Sequence, residues 1–381
     1  MEFRDLKKQY NVLKKEIDFA MNEVITSASF ISGRQVKKLE ERLAEYVGVK
    51  YCVTCANGTD AISLALMVWN IQRGDAVFVP DFTFFSSGEC PAFAGATPVF
   101  IDVDKRTFNI DPDKLERAIK KVREEGKYIP KVVIAVDLFG LPADYERIQN
   151  ICKKYGLLLL EDGAQGFGGS IHEKRACSFG DISITSFFPA KPLGCYGDGG
   201  ALFTDNKEWA DLLRSYCVHG KSGNDKYNNI RIGVNSRLDT IQAAILLPKL
   251  KAFIEYELDN VNQAAGWYRD SLKDCGIVLP ENAAGYTSSW AQYTIQLPES
   301  VDRDVLQRKL KENAIPTMVY YAKPMHRQGA FEGTDSAMAD CPVTEELCKR
   351  VLSLPMHPYL SKEMVNEVTK NLKKALIDGE K

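Results

Sequence analysis

The 381-residue chain has no excess of charge of either sign: 49 Lys and Arg stand against 51 Asp and Glu, a formal net charge of −2. Without a basic surplus there is little to neutralise a phosphate backbone, so nucleic acid is not an expected partner. A long apolar run is missing from the start as well. The first residues, MEFRDLKKQYNVLKKEI, are charged from the second position, so neither a secretory leader nor a membrane anchor is expected and the chain reads as cytoplasmic. Also absent are G-x-G-x-x-G after a strand and G-x-x-x-x-G-K-[ST], the loops that hold dinucleotides and nucleoside triphosphates. Ten cysteines are present, yet they are scattered singly. Cys52 and Cys55 form a C-x-x-C pair with no second pair to complete a zinc site, so reduced, packed thiols and no metal are expected.

The length exceeds one small domain, and two are expected. Leu6, Tyr10, Leu13, Ile17, Met21 and Val24 recur every three to four residues. That stripe predicts a helix packing as an N-terminal arm over residues 1–30. Apolar runs follow at 51–54, 76–80, 97–102, 131–139 and 157–162, with helical patterns such as Thr59–Trp69, Pro112–Val122 and Ala143–Tyr155 between most of them. Continuous apolar strands alternating with helical crossovers predict an α/β large domain over residues 31–250, built on a mainly parallel sheet flanked by helices. Ligands of such sheets collect at the carboxyl ends of the strands. Beyond Asp239 a long helix, with a kink or break expected at Pro248, leads into a smaller C-terminal α+β domain over 251–381. Its strands are predicted at AQYTIQL and IPTMVYY.

Three windows carry chemistry. Between Asp181 and Asp198 the only charged residue is Lys191, set among Phe187, Phe188, Pro189, Pro192 and Leu193. Desolvation there favours the neutral amine, the form that attacks an aldehyde carbon. A plain lysine on a turn between two strands fits this window equally well. LLLLEDGAQ ends a buried strand with Glu161 and Asp162 at the ligand-bearing edge. Either acid can simply cap the next segment; alternatively Asp162 is the carboxylate that pyridoxal 5'-phosphate chemistry needs beside the pyridine nitrogen. In CANGTDAISLAL a strand runs through Asn57 and Gly58 into a helix beginning near Thr59. Free N–H groups and the helix dipole suit a phosphate monoester there, although such turns also occur without a ligand.

Taken in order, CANGTDAISLAL, DFTFFSSGE, EDGAQ, SFFPAKPLGCYGDGGALFTD and GVNSRLDTIQAAIL resemble the nucleotide-sugar aminotransferases of the DegT, DnrJ and StrS type, from the arm to the C-terminus. The resemblance implies the pyridoxal-phosphate transferase fold type I, similar to aspartate aminotransferase, as a homodimer with shared active sites. It implies that Lys191 holds the cofactor as a Schiff base and that Asp162 pairs with its ring nitrogen. Gln165 would lie near the ring, Phe84 would stack on it, and Gly58, Thr59 and Ser186 would bind the phosphate. Asn235 would reach the phosphate of the partner's cofactor. Relatives that act as dehydratases carry His where Lys191 stands, so a transaminase is implied. A non-catalytic cofactor-binding regulator is the remote alternative.

The same resemblance implies L-glutamate as donor and a keto sugar nucleotide as acceptor, nearest to C3 of UDP-2-acetamido-2-deoxy-3-oxo-glucuronate, for surface polysaccharide synthesis. Arg237 would meet the uronate carboxylate, or else form a structural salt bridge. The alternative acceptor is a neutral 3-keto or 4-keto deoxyhexose on UDP, dTDP or GDP. One departure bears on this choice: where relatives read V-H-Y-P, this chain has Val319, Tyr320, Tyr321 and Ala322. Tyr320, Tyr321 and His326 are the remaining substrate-side candidates, while His357 in LPMHPYL is expected to be structural.

Overall fold

The structure, a computed structural model, describes residues 1–222 and 227–377. Its strands are β1 Tyr51–Cys55, β2 Asp75–Pro80, β3 Thr97–Ile101, β4 Ile129–Val136, β5 Leu158–Asp162, β6 Ser170–Ile171, β7 Lys174–Arg175, β8 Ile182–Ser186, β9 Gly200–Thr204, β10 Tyr286–Thr287, β11 Tyr293–Gln296 and β12 Val351–Leu354. The α-helices are α1 Leu6–Ser27, α2 Arg34–Val47, α3 Gly58–Val68, α4 Ser86–Phe93, α5 Pro112–Glu125, α6 Tyr145–Tyr155, α7 Lys207–Tyr216, α8 Thr240–Ala252, α9 Leu258–Leu272, α10 Arg303–Glu312, α11 Pro342–Arg350 and α12 Lys362–Ile377.

Seven strands form the main sheet in the order β1-β9-β8-β5-β4-β2-β3. All pair in parallel except around β9, which runs antiparallel to both β1 and β8. Alternation along the central strands explains why their sequences look continuously apolar. Val77, Val79, Val132, Ile134 and Leu160 face a core shared with α3. Their neighbours Ala76, Phe78, Val133, Ala135 and Leu159 face a second core shared with α5 and α6. Covering both faces leaves β5 and β8 opening only at their carboxyl ends, where Asp162 and Ser186 stand.

The arm helix α1 buries Leu13 and Ile17 against Ile245 and Ala252 of α8. Contrary to expectation, the chain stays helical through Pro248, and the departure from α geometry comes later, as a π turn over Phe253–Glu257. Ala243, Leu246 and Leu250 hold α8 in a core with α2 on both sides of the proline, so packing compensates for the missing donor.

A separate core joins α9, α10 and α12 to the antiparallel pair β11 and β12. The segment IPTMVYY is not a strand. Only Met318 bridges to Ser353 of β12, because the chain then turns to the main sheet: Val319 touches both cores, and Tyr320 and Tyr321 pack on that of the main sheet. The true partner of β11 is VLSL, whose four residues are too few to display a period.

Candidate active site

The turn from β1 into α3 is built by its cap. Asn57 Oδ1 accepts the Asp60 N–H at 2.8 Å, and the first helical hydrogen bond runs from Ala61 N–H to the Asn57 carbonyl at 3.1 Å. The N–H groups of Gly58 and Thr59 therefore precede the helical ladder, at the positive end of the helix. A Cβ on Gly58 would stand 2.8 Å from Ser186 Cβ, so glycine is what lets this turn close on the end of β8. Thr59 Oγ1 lies 2.8 Å from Ser86 Oγ, and the Ser186 hydroxyl accepts the Phe188 N–H at 3.2 Å. The end of β8 at Ser186 thus meets the N-terminus of α3 at Gly58, and the paired Thr59 and Ser86 hydroxyls stand at the same helix end.

Asp162 closes β5 and is 5 % exposed. Ser87 donates to its Oδ2 at 3.0 Å and Ala164 N–H to its Oδ1 at 3.2 Å. Burial raises its pKa above the usual carboxylate value, against the pull of Ala164 N–H, the Lys191 charge and Ser87. Three residues on, Gln165 is fixed from two sides. Its Oε1 accepts the Phe139 N–H at 2.8 Å, and its Nε2 donates to the Tyr321 hydroxyl at 3.1 Å. The Tyr321 ring lies 6.5 Å from that of Phe84, which is 54 % exposed. An apolar ring open to solvent beside a buried carboxylate and amide is a surface for a flat polar ligand.

Lys191 sits on the loop between β8 and β9 and is half-buried. The loop is pinned at its base by Phe187 N–H to Gly199 O at 2.7 Å and Cys195 N–H to Phe187 O at 2.8 Å. Burial lowers the Lys191 ammonium below its ordinary value; Asp162 opposes that shift and Arg4 assists it. Arg4, from the residues before α1, donates from one guanidinium nitrogen to the carbonyls of Lys191 at 2.6 Å and Pro192 at 3.2 Å. Ser87 and Arg4 were not anticipated from sequence. Ser87 lies within DFTFFSSGE and could have been suspected; nothing local marks Arg4, which acts across 187 residues.

The remaining candidates are dispersed. Asn235 is exposed; its neighbour Ser236 is buried and accepts the Ala56 N–H at 3.0 Å, tying this segment to the β1–α3 turn. Arg237 is half-buried, and no carboxylate lies within ion-pair distance of it among the described residues. Tyr320 packs 5.7 Å from Tyr321 and 6.4 Å from Phe3. His326 lies apart from the others. Its Nδ1 is 2.7 Å from Asp81 Oδ2, its Nε2 is 3.3 Å from Glu345 Oε1, and the residue is 2 % exposed. Both nitrogens are engaged by protein carboxylates, which leaves no free atom for a substrate. Cys341 completes a buried trio with Asp81 and His326. The 2.7 Å contact is a hydrogen-bond length, shorter than the ~3.3 Å that two ligands of one tetrahedral ion keep. His357 is buried, and burial lowers its imidazole to about 4, so it is a neutral packed residue.

The model of the DegT/DnrJ/EryC1/StrS aminotransferase family matches residues 11–373. The chain is 44% identical over 360 residues, 94% of its length and 96% of the relative, to the UDP-2-acetamido-2-deoxy-3-oxo-D-glucuronate aminotransferase of Pseudomonas aeruginosa. It is 40% identical over 372 residues, 98% of its length and 97% of the relative, to the UDP-N-acetyl-3-dehydro-alpha-D-glucosamine 3-aminotransferase of Acidithiobacillus ferrooxidans. Among solved structures, a DegT DnrJ EryC1 StrS aminotransferase from Brucella abortus superposes with a TM-score of 0.95 at 45% identity, covering 98% of this chain and 99% of that one.

Proposed function

Because the chain belongs to the DegT/DnrJ/EryC1/StrS aminotransferase family, we propose that it carries nitrogen from L-glutamate to C3 of a UDP-linked 2-acetamido-2-deoxy-3-oxo-glucuronate. It is a nucleotide-sugar aminotransferase and its cofactor is pyridoxal 5'-phosphate. The residues present fit that group. The close approach that Gly58 allows to Ser186 leaves a cradle of N–H and hydroxyl donors for a phosphate. The open face of Phe84 suits the ring, and buried Asp162 has accepting capacity left for a ring N–H. When bound, the cofactor supplies an aldehyde carbon that captures amines and a ring that draws off electrons as the α C–H bond breaks.

Gly58, Thr59 and Ser186 hold the phosphate. Asp162 would keep the ring nitrogen protonated, Gln165 would border the ring, and Phe84 would cover one face. Lys191 would anchor the cofactor through Nζ, and the same nitrogen, once free, would take the donor's α proton and deliver it to the cofactor, a role its desolvated position favours. Asn235 would reach the phosphate of the cofactor in a second subunit. Exposed Phe19, Phe30, Ile31 and Ile232 are apolar surface in keeping with a homodimer. Among the described residues no helix is long and apolar enough to cross a membrane, which fits work on a nucleotide substrate in the cytoplasm.

The observation that carries the acceptor is Arg237, a half-buried guanidinium with no carboxylate partner among the described residues. A uronate carboxylate would supply one with bidentate geometry. A neutral 3-keto sugar nucleotide is the second reading, favoured by the 40% identical relative whose name carries no uronate. Incubating the holoenzyme with glutamate and a panel of keto sugar nucleotides, with products read by mass spectrometry, tests both. The uronate should be aminated fastest, and Arg237→Met should reduce that preference; equal rates with uronate and neutral sugars refute the role of Arg237. Lys191→Ala should abolish turnover and the visible band of the lysine-bound cofactor.

A further inference from the structure

Beneath the Lys191 loop lies a buried charge cluster that the chemistry above does not use. Arg4 donates to the carbonyls of Lys191 and Pro192, at 2.6 and 3.2 Å. Three residues beyond Lys191, the Gly194 carbonyl accepts from Lys249 Nζ, which comes up from α8 and is 1 % exposed. The lysine loop thus rests on two cations supplied by separate elements. Their counter-charge is Glu257 of the π turn, 2 % exposed. It is held by Gln9 Nε2 at 2.9 and 3.1 Å and by the Tyr359 hydroxyl at 2.6 Å. Glu257 has no salt bridge within 4.0 Å among the described residues, yet its field reaches both Arg4 and Lys249. Burial lowers the Lys249 ammonium to about 8, so Arg4 is the cation that keeps its charge beside the Lys191 loop, with Glu257 as its buried counter-charge.

We propose that Arg4 and Glu257 are an opposed pair of positioning residues for Lys191. Arg4 clamps the backbone that carries the lysine and disfavours a proton on its nitrogen, while Glu257 limits how much of that positive charge the nitrogen feels. The inference rests on the reading of Lys191 as the anchoring lysine. Lysine must lose its proton to attack and must regain one as a general acid, so a fixed cation below it tunes the pH at which it works. The arm before α1 thereby becomes part of the active-site electrostatics rather than mere packing.

The other titratable groups around the cluster are accounted for. Asp162 faces Lys191 from β5, opposite in sign to Arg4. Cys195 and Tyr196 lie on the loop beside Lys249, both pushed up by burial and neutral. Around Glu257 and Arg4, Tyr256 and Tyr359 are raised by burial, and His357, held at about 4, is uncharged. Asp5 adjoins Arg4 and acts on His357. The neutral groups do not cancel the charge on Arg4; of the two carboxyl groups, Asp162 acts on Lys191 from β5 and Asp5 adjoins Arg4.

The test is a pH titration of the visible band of the lysine-bound cofactor in the holoenzyme. Arg4→Gln should move its midpoint upward by about one unit, tenfold in proton affinity. Glu257→Gln should move it downward, and Arg4→Lys, which keeps the charge, should stay near wild type. Opposite signs are what a merely structural contribution would not produce. If Glu257→Gln does not fold, the contrast between Arg4→Gln and Arg4→Lys decides alone. Identical midpoints in wild type and Arg4→Gln overturn the proposal while leaving the Lys191 assignment intact. A band that persists in Lys191→Ala overturns both.

Discussion

The two faces of β5 carry adjacent buried carboxyl groups: Glu161 turns toward the α5 and α6 side, and Asp162 toward the α3 side. Around Glu161 the protein supplies everything. It accepts from Cys177 N–H at 2.5 Å, Phe179 N–H at 2.6 Å, Gly180 N–H at 3.2 Å and the Ser183 hydroxyl at 2.7 Å. A carboxylate offers about four lone-pair sites, so Glu161 is saturated. Asp162 receives only the Ser87 hydroxyl and the Ala164 N–H, and half its capacity is open toward the ligand side. Burial raises both acids. What separates the two acids here is not the charge or the depth but the number of donors the fold has already spent.

The sharpest way to break this comparison is to neutralise each acid in turn. Asp162→Asn should lower turnover at least about 10²-fold, the scale on which one preorganised electrostatic partner acts, with thermal stability unchanged. Steady-state kinetics beside a melting curve checks both halves. Glu161→Gln should do the reverse. Its amide would point N–H groups at N–H donors, costing about 2 kcal/mol of stability, while turnover in the folded fraction stays within a few fold; denaturant unfolding reads the first and specific activity the second.

A smaller effect sharpens the account of the Glu161 side. Asp137 is fully buried; its Oδ1 accepts from Ala143 N–H at 3.1 Å and from the Tyr145 hydroxyl at 2.7 Å. Its Oδ2 finds no donor. Burial first, then the Glu161 charge, raises the Asp137 carboxyl well above the usual range, so it is the member of the pair that keeps its proton. An acid whose folded value is raised contributes stability that is complete below the ordinary carboxyl range, about pH 4, and is lost as pH rises toward the folded value. Asp137→Asn fixes the neutral form and removes that loss. The melting temperature of the variant relative to wild type should therefore climb between pH 5 and pH 8. An offset independent of pH would show that the pair shares no proton.

Much of the main-sheet region was legible because its signals are contiguous. Strands buried on both faces write continuous apolar runs, and Lys191, Asp162 and the Gly58–Thr59 turn each depart from their surroundings within a dozen residues. The region around β11 and β12 was less so. IPTMVYY has strand composition but turns to the main sheet after one bridge at Met318, while VLSL forms the partner of β11 in four residues. His326 looked like a substrate ligand until its nitrogens were found on Asp81 and Glu345. Lys249, in LPKLKAF, resembles any helical lysine, yet it is buried beneath the active-site loop.

By itself, the sequence determined which residues are chemically capable and on which elements they ride, since periodicity, turn residues and isolated charge are local properties of the chain. It could name Glu161 and Asp162 as a pair and prefer Asp162, but not say why. Only the tertiary structure decided which acid is already saturated, that Ser87 supports the other, and that Arg4 lies under Lys191. Those are statements about hydrogen-bond capacity and field between groups up to 187 residues apart. Burial and charge act through space, and the packing of arm, sheet and helix α8 brings them to one point.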